Sequence, residues 1–393
     1  MTSNQTTVLV IGGGYAGVMA ANRLKSRDDV RVTMINPRPQ FVERIRLHQL
    51  AADGRPDSPV AVEDFGKVLN DGVQLVVDSA ERIDAATRQV FLSSGATMDY
   101  DYLVYAVGST GVVPTSVPGA VEFAFPLAEL EQAQRLRARL ADLHVSAPMV
   151  VVGGGLTGIE AAAEFAEAGR SVTLVGELGP SLSAPGRRSV AKRLRKLGVA
   201  VVETMVTEVT ASAVVLADGR AVPSAVTVWT AGFGVPGLAA ASGLTTDGAG
   251  RVVTDETLTS LDSPYIVAAG DAASPSRLPY RMSCQAGLPL GAQAANTVLS
   301  RITGTEAADA TVPMTGQCIS LGRGAGTVQI QRKDDTPIDL YIGGRAGAFV
   351  KEQVCRWTLR WLAGEATKPG SYKSLHGPDR TEQIAAAEAV QIR

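Results

Sequence analysis

Three stretches of the chain carry residue types at spacings that suit cofactor chemistry. Gly12, Gly14 and Gly17 follow the apolar run Val8-Leu9-Val10-Ile11 as Gly-x-Gly-x-x-Gly. In that pattern the first glycine allows a tight turn and the second lets a pyrophosphate approach the backbone. The third lets a helix pack closely on the strand, so that phosphate oxygens meet free N–H groups at the helix start. The pattern recurs as Gly153, Gly155 and Gly158 after Met149-Val150-Val151-Val152. Each unit offers one phosphate site, so two units predict two nucleotide-sized ligands. The third stretch is Tyr265-Ile266-Val267-Ala268-Ala269-Gly270-Asp271. It sets a carboxylate beside a turn, where it can accept a hydrogen bond from a sugar-like hydroxyl. A solvent-facing turn aspartate is the plainer alternative.

Titratable side chains concentrate in Phe41-Val42-Glu43-Arg44-Ile45-Arg46-Leu47-His48-Gln49. Arg44, Arg46 and His48 alternate with apolar residues, so either one face is wet or the three point into a cavity holding an anionic or polar ligand. We adopt the cavity, although a lone histidine is more often a hydrogen-bonded structural residue. Glu160 follows the second glycine run directly and is either a site carboxylate or a helix-surface acid. Asn36 ends the second apolar strand of the first unit, where an acid usually holds a ribose; its amide can still bond a hydroxyl. Arg38 is placed to cover an adenine or a phosphate, or else is a solvated surface arginine. In the second unit Gly176 takes the acid's position and Glu177 follows. That leans towards NADH, because a carboxylate repels a 2′-phosphate, although Arg187 and Arg188 lie further on.

The elements that must position these groups alternate between strand and helix. A helix near Ala16 to Ser26 follows the first turn, and Val30 to Ile35 forms the next strand. Gln74 to Val77 and Gln89 to Leu92 suit a small meander, and Tyr102 to Val107 ends in a turn at Gly108. Pro114 and Pro118-Gly119 mark a boundary, followed by an amphipathic helix from Leu127 to Leu143. The second unit continues through Val226 to Ala231 and turns at Gly232. Pro289 lacks an N–H, so Ser283 to Leu290 is expected to break into a short turn before a helix running through Leu299. Trp357 and Trp361 share one face of a later helix, a stripe suited to core or dimer packing or to weak membrane contact.

With 393 residues the chain is long enough for two or three domains, and 45% apolar with 19% charged residues is ordinary for a globular protein. A net charge of -2 gives no footprint for nucleic acid. The seven residues before the first strand leave no room for a secretory signal, and no apolar run approaches a membrane span, so a cytoplasmic location is expected. Cys284, Cys318 and Cys355 are too far apart in sequence to suggest a local disulfide or metal pattern, and read as buried thiols; no metal site is expected.

On these three stretches the chain resembles the two-dinucleotide-binding-domain flavoproteins of the pyridine nucleotide-disulfide oxidoreductase superfamily, most closely the type II NADH dehydrogenase-like and apoptosis-inducing-factor-like branch. The resemblance implies an α/β fold with two Rossmann-like three-layer ββα domains, the second inserted in the first, and a small C-terminal α+β interface domain. It implies FAD binding by residues 1–113 and 255–310, NAD(P)H binding by 114–254, and an interface domain and tail from 311 to 393. Gly12, Gly14 and Gly17, with Tyr15 and Ala16, would take the FAD pyrophosphate, Asn36 the adenosine ribose, Ala80 the adenine and Asp271 the ribitol. Gly108, Gly232 and Gly270 supply turns of the cofactor sites, and Gly153, Gly155, Gly158 and Glu177 take the nicotinamide cofactor. Glu160 matches an acid near the nicotinamide, while Arg44, Arg46 and His48 are left for the acceptor side, His48 or Glu160 giving a proton.

The implied activity is hydride transfer from NAD(P)H through FAD to a small-molecule electron acceptor. A quinone is the first choice. Ser283-Cys284-Gln285-Ala286-Gly287-Leu288-Pro289-Leu290 departs from the Ala-Gln and paired glutamines of the quinone-reducing branch, which admits another small aromatic or biosynthetic acceptor. Disulfide reductases carry a cysteine pair close to the first motif, whereas the first cysteine here is Cys284, so a redox-active disulfide is not expected. A slow-turnover redox switch is the rival reading, and a homodimer or peripheral contact with the inner membrane face stays open.

Overall fold

Val8, Leu9 and Val10 are fully buried because their strand, Thr6–Ile11, is the middle member of a five-stranded parallel sheet. Across that sheet run Ile266–Ala268, Tyr102–Tyr105, Thr6–Ile11, Val30–Asn36 and Val73–Val77. Helices Tyr15–Leu24 and Cys284–Thr303 pack on this sheet, and Ile83, Val90 and Leu92 of an antiparallel layer share its core, so its strands are almost continuously apolar rather than alternating. The computed structural model describes residues 5–54 and 60–391.

A second parallel sheet repeats the plan with Ala124–Pro126, Val226–Trp229, Pro148–Val152, Ser171–Val175 and Ala200–Val202. Each unit adds a three-stranded antiparallel layer, Ala80–Asp84 through Thr97–Asp99 in the first and Val206–Val209 through Ala221–Pro223 in the second. Ile266–Ala268 returns to the first sheet after the whole of the second, so the second unit is inserted in the first. The two crossings between units pair with each other, Thr110–Gly111 against Phe233–Gly234. The C-terminal part is a three-stranded antiparallel sheet, Gly316–Ser320, Gly326–Gln331 and Pro337–Gly343, packed against helix Gly344–Thr367. This is the α/β arrangement expected.

Local details differ from the sequence reading. Helix Cys284–Thr303 runs unbroken through Pro289. Proline removes one backbone donor there, but Ser283 caps the first turn by accepting from the Ala286 N–H, and the residues on both sides are buried. This helix crosses Tyr15–Leu24 so closely that a Cβ on Gly291 would lie 2.2 Å from the Ala16 carbonyl oxygen. The amphipathic helix begins at Leu130 rather than Leu127, stopped by a capping box between Glu129 and Gln132. The segment with Arg44, Arg46 and His48 is a 3-10 turn, Arg44–Arg46, leading into helix Leu47–Ala52. Two-residue spacing therefore does not hold its side chains on one face. Beyond Thr367 the chain forms a strap whose Tyr372 carbonyl accepts from Arg23 of the first unit, and helix Thr381–Gln391 follows. Among the described residues no helix is long and apolar enough to cross a membrane.

Candidate active site

Both glycine runs fold into the same device. Gly12 and Gly153 have φ of +103° and +113°, a region costly for any residue with a Cβ. Gly17 and Gly158 lie against the turn itself, since a Cβ on either would come within 1.8 Å of the carbonyl oxygen of Gly12 or Gly153. Gly14 and Gly155 stand at the helix starts, and a Cβ on either meets nothing within 4 Å. The space each middle glycine leaves is thus open, in front of unpaired N–H groups at a positive helix end.

Both open turns face one cavity of about 1360 Å³, larger than the ~300–1,000 Å³ of a single ligand pocket. It passes from Asn36 and Ala80, over Gly14 and Gly108, past Asp271, to Gly155, Thr157 and Glu160. Its far wall belongs to the C-terminal part, with Lys351, Cys355, Thr358 and the strap residues Tyr372 and Leu375. Trp357 and Trp361 stand on that wall at 44% exposure each, with ring centroids 6.3 Å apart.

A buried charged group sits where the three parts of the chain meet. Glu160 Oε1 lies 2.9 Å from Lys351 Nζ and accepts the Ser320 N–H at 2.8 Å. Burial alone would raise its carboxyl, but Lys351, His48 and the Ser320 amide hold it below its usual range. Burial works against the Lys351 charge too, yet Glu160 holds the ammonium above its usual value. His48 Nδ1 lies 3.9 Å from Glu160 Oε2, and burial lowers the imidazole to about 4, so it is neutral at pH 7. Among the described residues His48 Nε2 and the Tyr15 hydroxyl, both buried, have no hydrogen-bond partner. All three cysteines are free and line this end of the cavity; burial pushes the Cys284 thiol to about 11 and raises the other two.

The family described as pyridine nucleotide-disulphide oxidoreductase matches residues 6–296, both glycine turns and Asp271 included. The chain belongs to the pyridine nucleotide-disulphide oxidoreductase family. It is similar to an NADH dehydrogenase-like protein of Mycobacterium tuberculosis, 31% identical over 329 residues, covering 75% of this chain and 80% of that one. Among solved structures it resembles NDH2 of Plasmodium falciparum in complex with NADH, with a TM-score of 0.75, 15% identity and 94% and 99% of the two chains covered. It also resembles the sulfide:quinone oxidoreductase of Aquifex aeolicus, with a TM-score of 0.74, 19% identity and 93% of each chain covered.

As a member of the pyridine nucleotide-disulphide oxidoreductase family this is an enzyme dependent on FAD and NAD(P)H. Its own residues fit the flavin cofactor. The turn at Gly14, where a Cβ would meet nothing within 4 Å, would leave room for a diphosphate. The Asp271 carboxylate reaches the cavity, held by the Ser109 hydroxyl at 2.7 Å and the Ser283 N–H at 3.2 Å, with burial raising its carboxyl. Tyr15, Ala16, Asn36, Arg38, Ala80, Gly108 and Gly270 line the same space. Asn36 is already engaged, its Oδ1 accepting the Gly13 N–H and its Nδ2 donating to the Arg38 carbonyl, so it shapes the turn while lining the cavity. Arg38 pairs with Glu131 through two bonds of 2.6 and 2.5 Å. Glu177 and Gly232 are not on the cavity wall.

The trio expected on the acceptor side divides in this member of the family. His48 reaches the cavity beside Glu160. Arg46 does not, because it turns away to Glu352, at 3.1 and 3.2 Å, and to Glu43 at 3.3 Å. Arg44 lines the cavity but spends its donors on the backbone carbonyls of Ser109 and Ala128. Lys351 escaped the sequence reading as a site residue, whereas the strap lies in the stretch Thr367 to Arg393 that reads as a polar tail or an arm. A lone lysine in an amphipathic helix carries no local signal, and its partner lies 191 positions away in a different part of the fold.

Proposed function

We propose that the chain is an FAD-dependent NAD(P)H:acceptor oxidoreductase working without a redox-active disulfide and passing electrons to a quinone-like or other small organic acceptor. One observation carries the reading: two open glycine turns, each at a helix start, share a single cavity with Asp271 between them. When bound, the flavin supplies a two-electron carrier that takes hydride from the nicotinamide. The protein's contribution is placement. Gly12, Gly14 and Gly17 hold the FAD diphosphate, Asp271 its ribitol and Ala80 its adenine, while Gly153, Gly155 and Gly158 hold the nicotinamide cofactor's phosphates. NADH is the expected donor, because Glu177 is exposed beside the second turn, its carbonyl against Gly154, and would repel a 2′-phosphate.

Proton supply for the acceptor falls to Lys351 and Glu160. His48 is neutral at pH 7 and Glu160 is ionised, so the charged proton carrier at this wall is the Lys351 ammonium, 2.9 Å from the carboxylate of Glu160 that would relay its proton. His48 Nε2 and the Tyr15 hydroxyl are the groups left to bond the acceptor. The half-exposed Trp357 and Trp361 offer an apolar approach to this end, which suits a quinone, the acceptor class named in the Aquifex relative. The test is the spectrum of the purified protein, then anaerobic addition of NADH or NADPH and a panel of acceptors. Flavin that bleaches with NADH and recovers with quinones is expected. Failure to load flavin, or a loaded flavin that neither coenzyme reduces, refutes the proposal.

A further inference from the structure

Arg44 is a half-buried cation that, among the described residues, forms no ion pair, although the charges of Asp271 and Glu129 favour its protonated form. Buried guanidinium groups ordinarily meet a carboxylate, since burial disfavours the charge, and burial does lower the hold of this one on its proton. Its donors go instead to two backbone oxygens. Nη1 donates to the Ser109 carbonyl at 2.5 Å, while Nε and Nη2 both donate to the Ala128 carbonyl, at 3.0 and 2.7 Å. The two acceptors belong to different parts of the chain path. Ser109 lies at the exit from the first sheet, next to the Thr110–Gly111 strand that pairs with the returning crossing Phe233–Gly234. Ala128 stands just before helix Leu130–Ala141 of the second unit, whose capping box is formed by Glu129 and Gln132. Gly108 leaves the approach open, because a Cβ there would be 3.3 Å from Nη1.

We infer that Arg44 is a positioning residue that fixes the angle between the two dinucleotide-binding units, and so the distance between the two cofactors' reacting rings. The inference rests on the proposed transfer between nicotinamide and flavin. A planar fork is needed for the task. One edge can take Ala128 with two donors while the other reaches Ser109, whereas a lysine ammonium keeps the charge but cannot span both carbonyls in that geometry. The same peptide segment reaches the cofactor site, because the Ser109 hydroxyl donates to Asp271 Oδ2 at 2.7 Å. Loosening it moves one unit against the other without removing any group that faces a ring, and a misplacement of about 1 Å can cost roughly 100-fold in rate.

The test compares Arg44→Lys and Arg44→Met with the wild-type holoenzyme by stopped-flow reduction with NADH and by amide hydrogen exchange. In both variants the limiting reduction rate is expected to fall at least about tenfold, with the apparent NADH dissociation constant changed less than about threefold. Exchange is expected to rise at residues 108–111 and 127–130. A lysine variant that reduces at the wild-type rate while the methionine variant is slow would show that charge alone matters and overturn the inference, as would unchanged exchange in both segments. If Arg44→Met does not fold, Arg44→Lys decides alone by the same two readouts. A wild-type flavin that NADH fails to reduce would refute the proposed function; the exchange measurement would still decide whether Arg44 ties the two segments.

Discussion

The Lys351 ammonium lies 2.9 Å from Glu160 Oε1, joining the C-terminal helix Gly344–Thr367 to the helix of the second glycine turn, Leu156–Glu167. Both side chains are nearly shielded from solvent, and Lys351 also donates to the Cys318 carbonyl at 3.2 Å. The pair therefore ties three parts of the chain together at the inner end of the cavity.

Cutting one half of this pair should cost more than removing both. Lys351→Met leaves a buried carboxylate with the Ser320 amide and a neutral His48 3.9 Å away, and is expected to lower stability by about 3–5 kcal/mol. Adding Glu160→Gln should recover a large part of that loss. Urea unfolding at pH 7 measures both, and a single variant losing less than about 1 kcal/mol would contradict the assigned geometry.

Acid should weaken the fold through His48 before it does so through Glu160. The folded imidazole titrates near 4, below the ordinary 6.5, so between those values the unfolded chain binds a proton that the folded chain refuses. Stability attributable to His48 thus declines as pH falls from 6.5 towards 4. Glu160, held below its ordinary value, contributes above pH 4.5 and loses that contribution only as pH falls through its folded value. The difference in urea midpoint between wild type and His48→Gln, followed from pH 7 to pH 4.5, should change in this sense. A pH-independent difference speaks against a buried neutral imidazole.

Adjacent glycines should separate folding from cofactor binding. Gly12→Ala forces a Cβ at φ +103° to within 2.3 Å of the Ala106 carbonyl oxygen, so the apoprotein itself should melt lower. Gly14 has an ordinary φ of -84° and open space around it. Gly14→Ala should cost the apoprotein less than about 1 kcal/mol while weakening FAD binding, because the added methyl occupies the diphosphate's approach. Thermal melts of apoprotein with flavin titrations distinguish the two, and equal loss of apoprotein stability in both would count against the site.

The cavity thiols should be sluggish nucleophiles. With Cys284 pushed to about 11 from an ordinary 9, its thiolate is about 100-fold scarcer at pH 8 than in the unfolded chain. Mass-spectrometric alkylation rates for native and urea-unfolded protein should differ by at least that ratio, with access slowing the native rate further. Native labelling at the unfolded rate would place Cys284 outside the cavity.

Glu160→Gln should divide the two halves of turnover. Reduction by NADH should stay within a few-fold of wild type, because hydride transfer needs no proton from this wall. Reoxidation by a quinone should slow by about 100-fold, the usual value of a positioned proton group. Equal slowing of both halves in stopped-flow traces would assign Glu160 to coenzyme placement instead.

Much of this protein was legible from short-range chemistry. A glycine that must adopt positive φ, a helix that must approach a strand and a carboxylate that closes a strand are written within a few residues of one another. Gly12 to Gly17, Gly153 to Gly158 and Gly270-Asp271 therefore announced two βαβ units and their order. What tertiary structure alone decided is who meets whom across the domains. Arg44, Arg46 and His48 share one alternating stretch, yet a single 3-10 turn sends them to backbone carbonyls, to Glu352 and to the cavity. Lys351 became the partner of Glu160, and the three cysteines came to line one cavity, only through packing of the C-terminal sheet and helix on the glycine-turn helices. Local turns depend on a residue and its neighbours; a buried charge depends on whichever distant group arrives to compensate it, and no spacing in the sequence records that arrival.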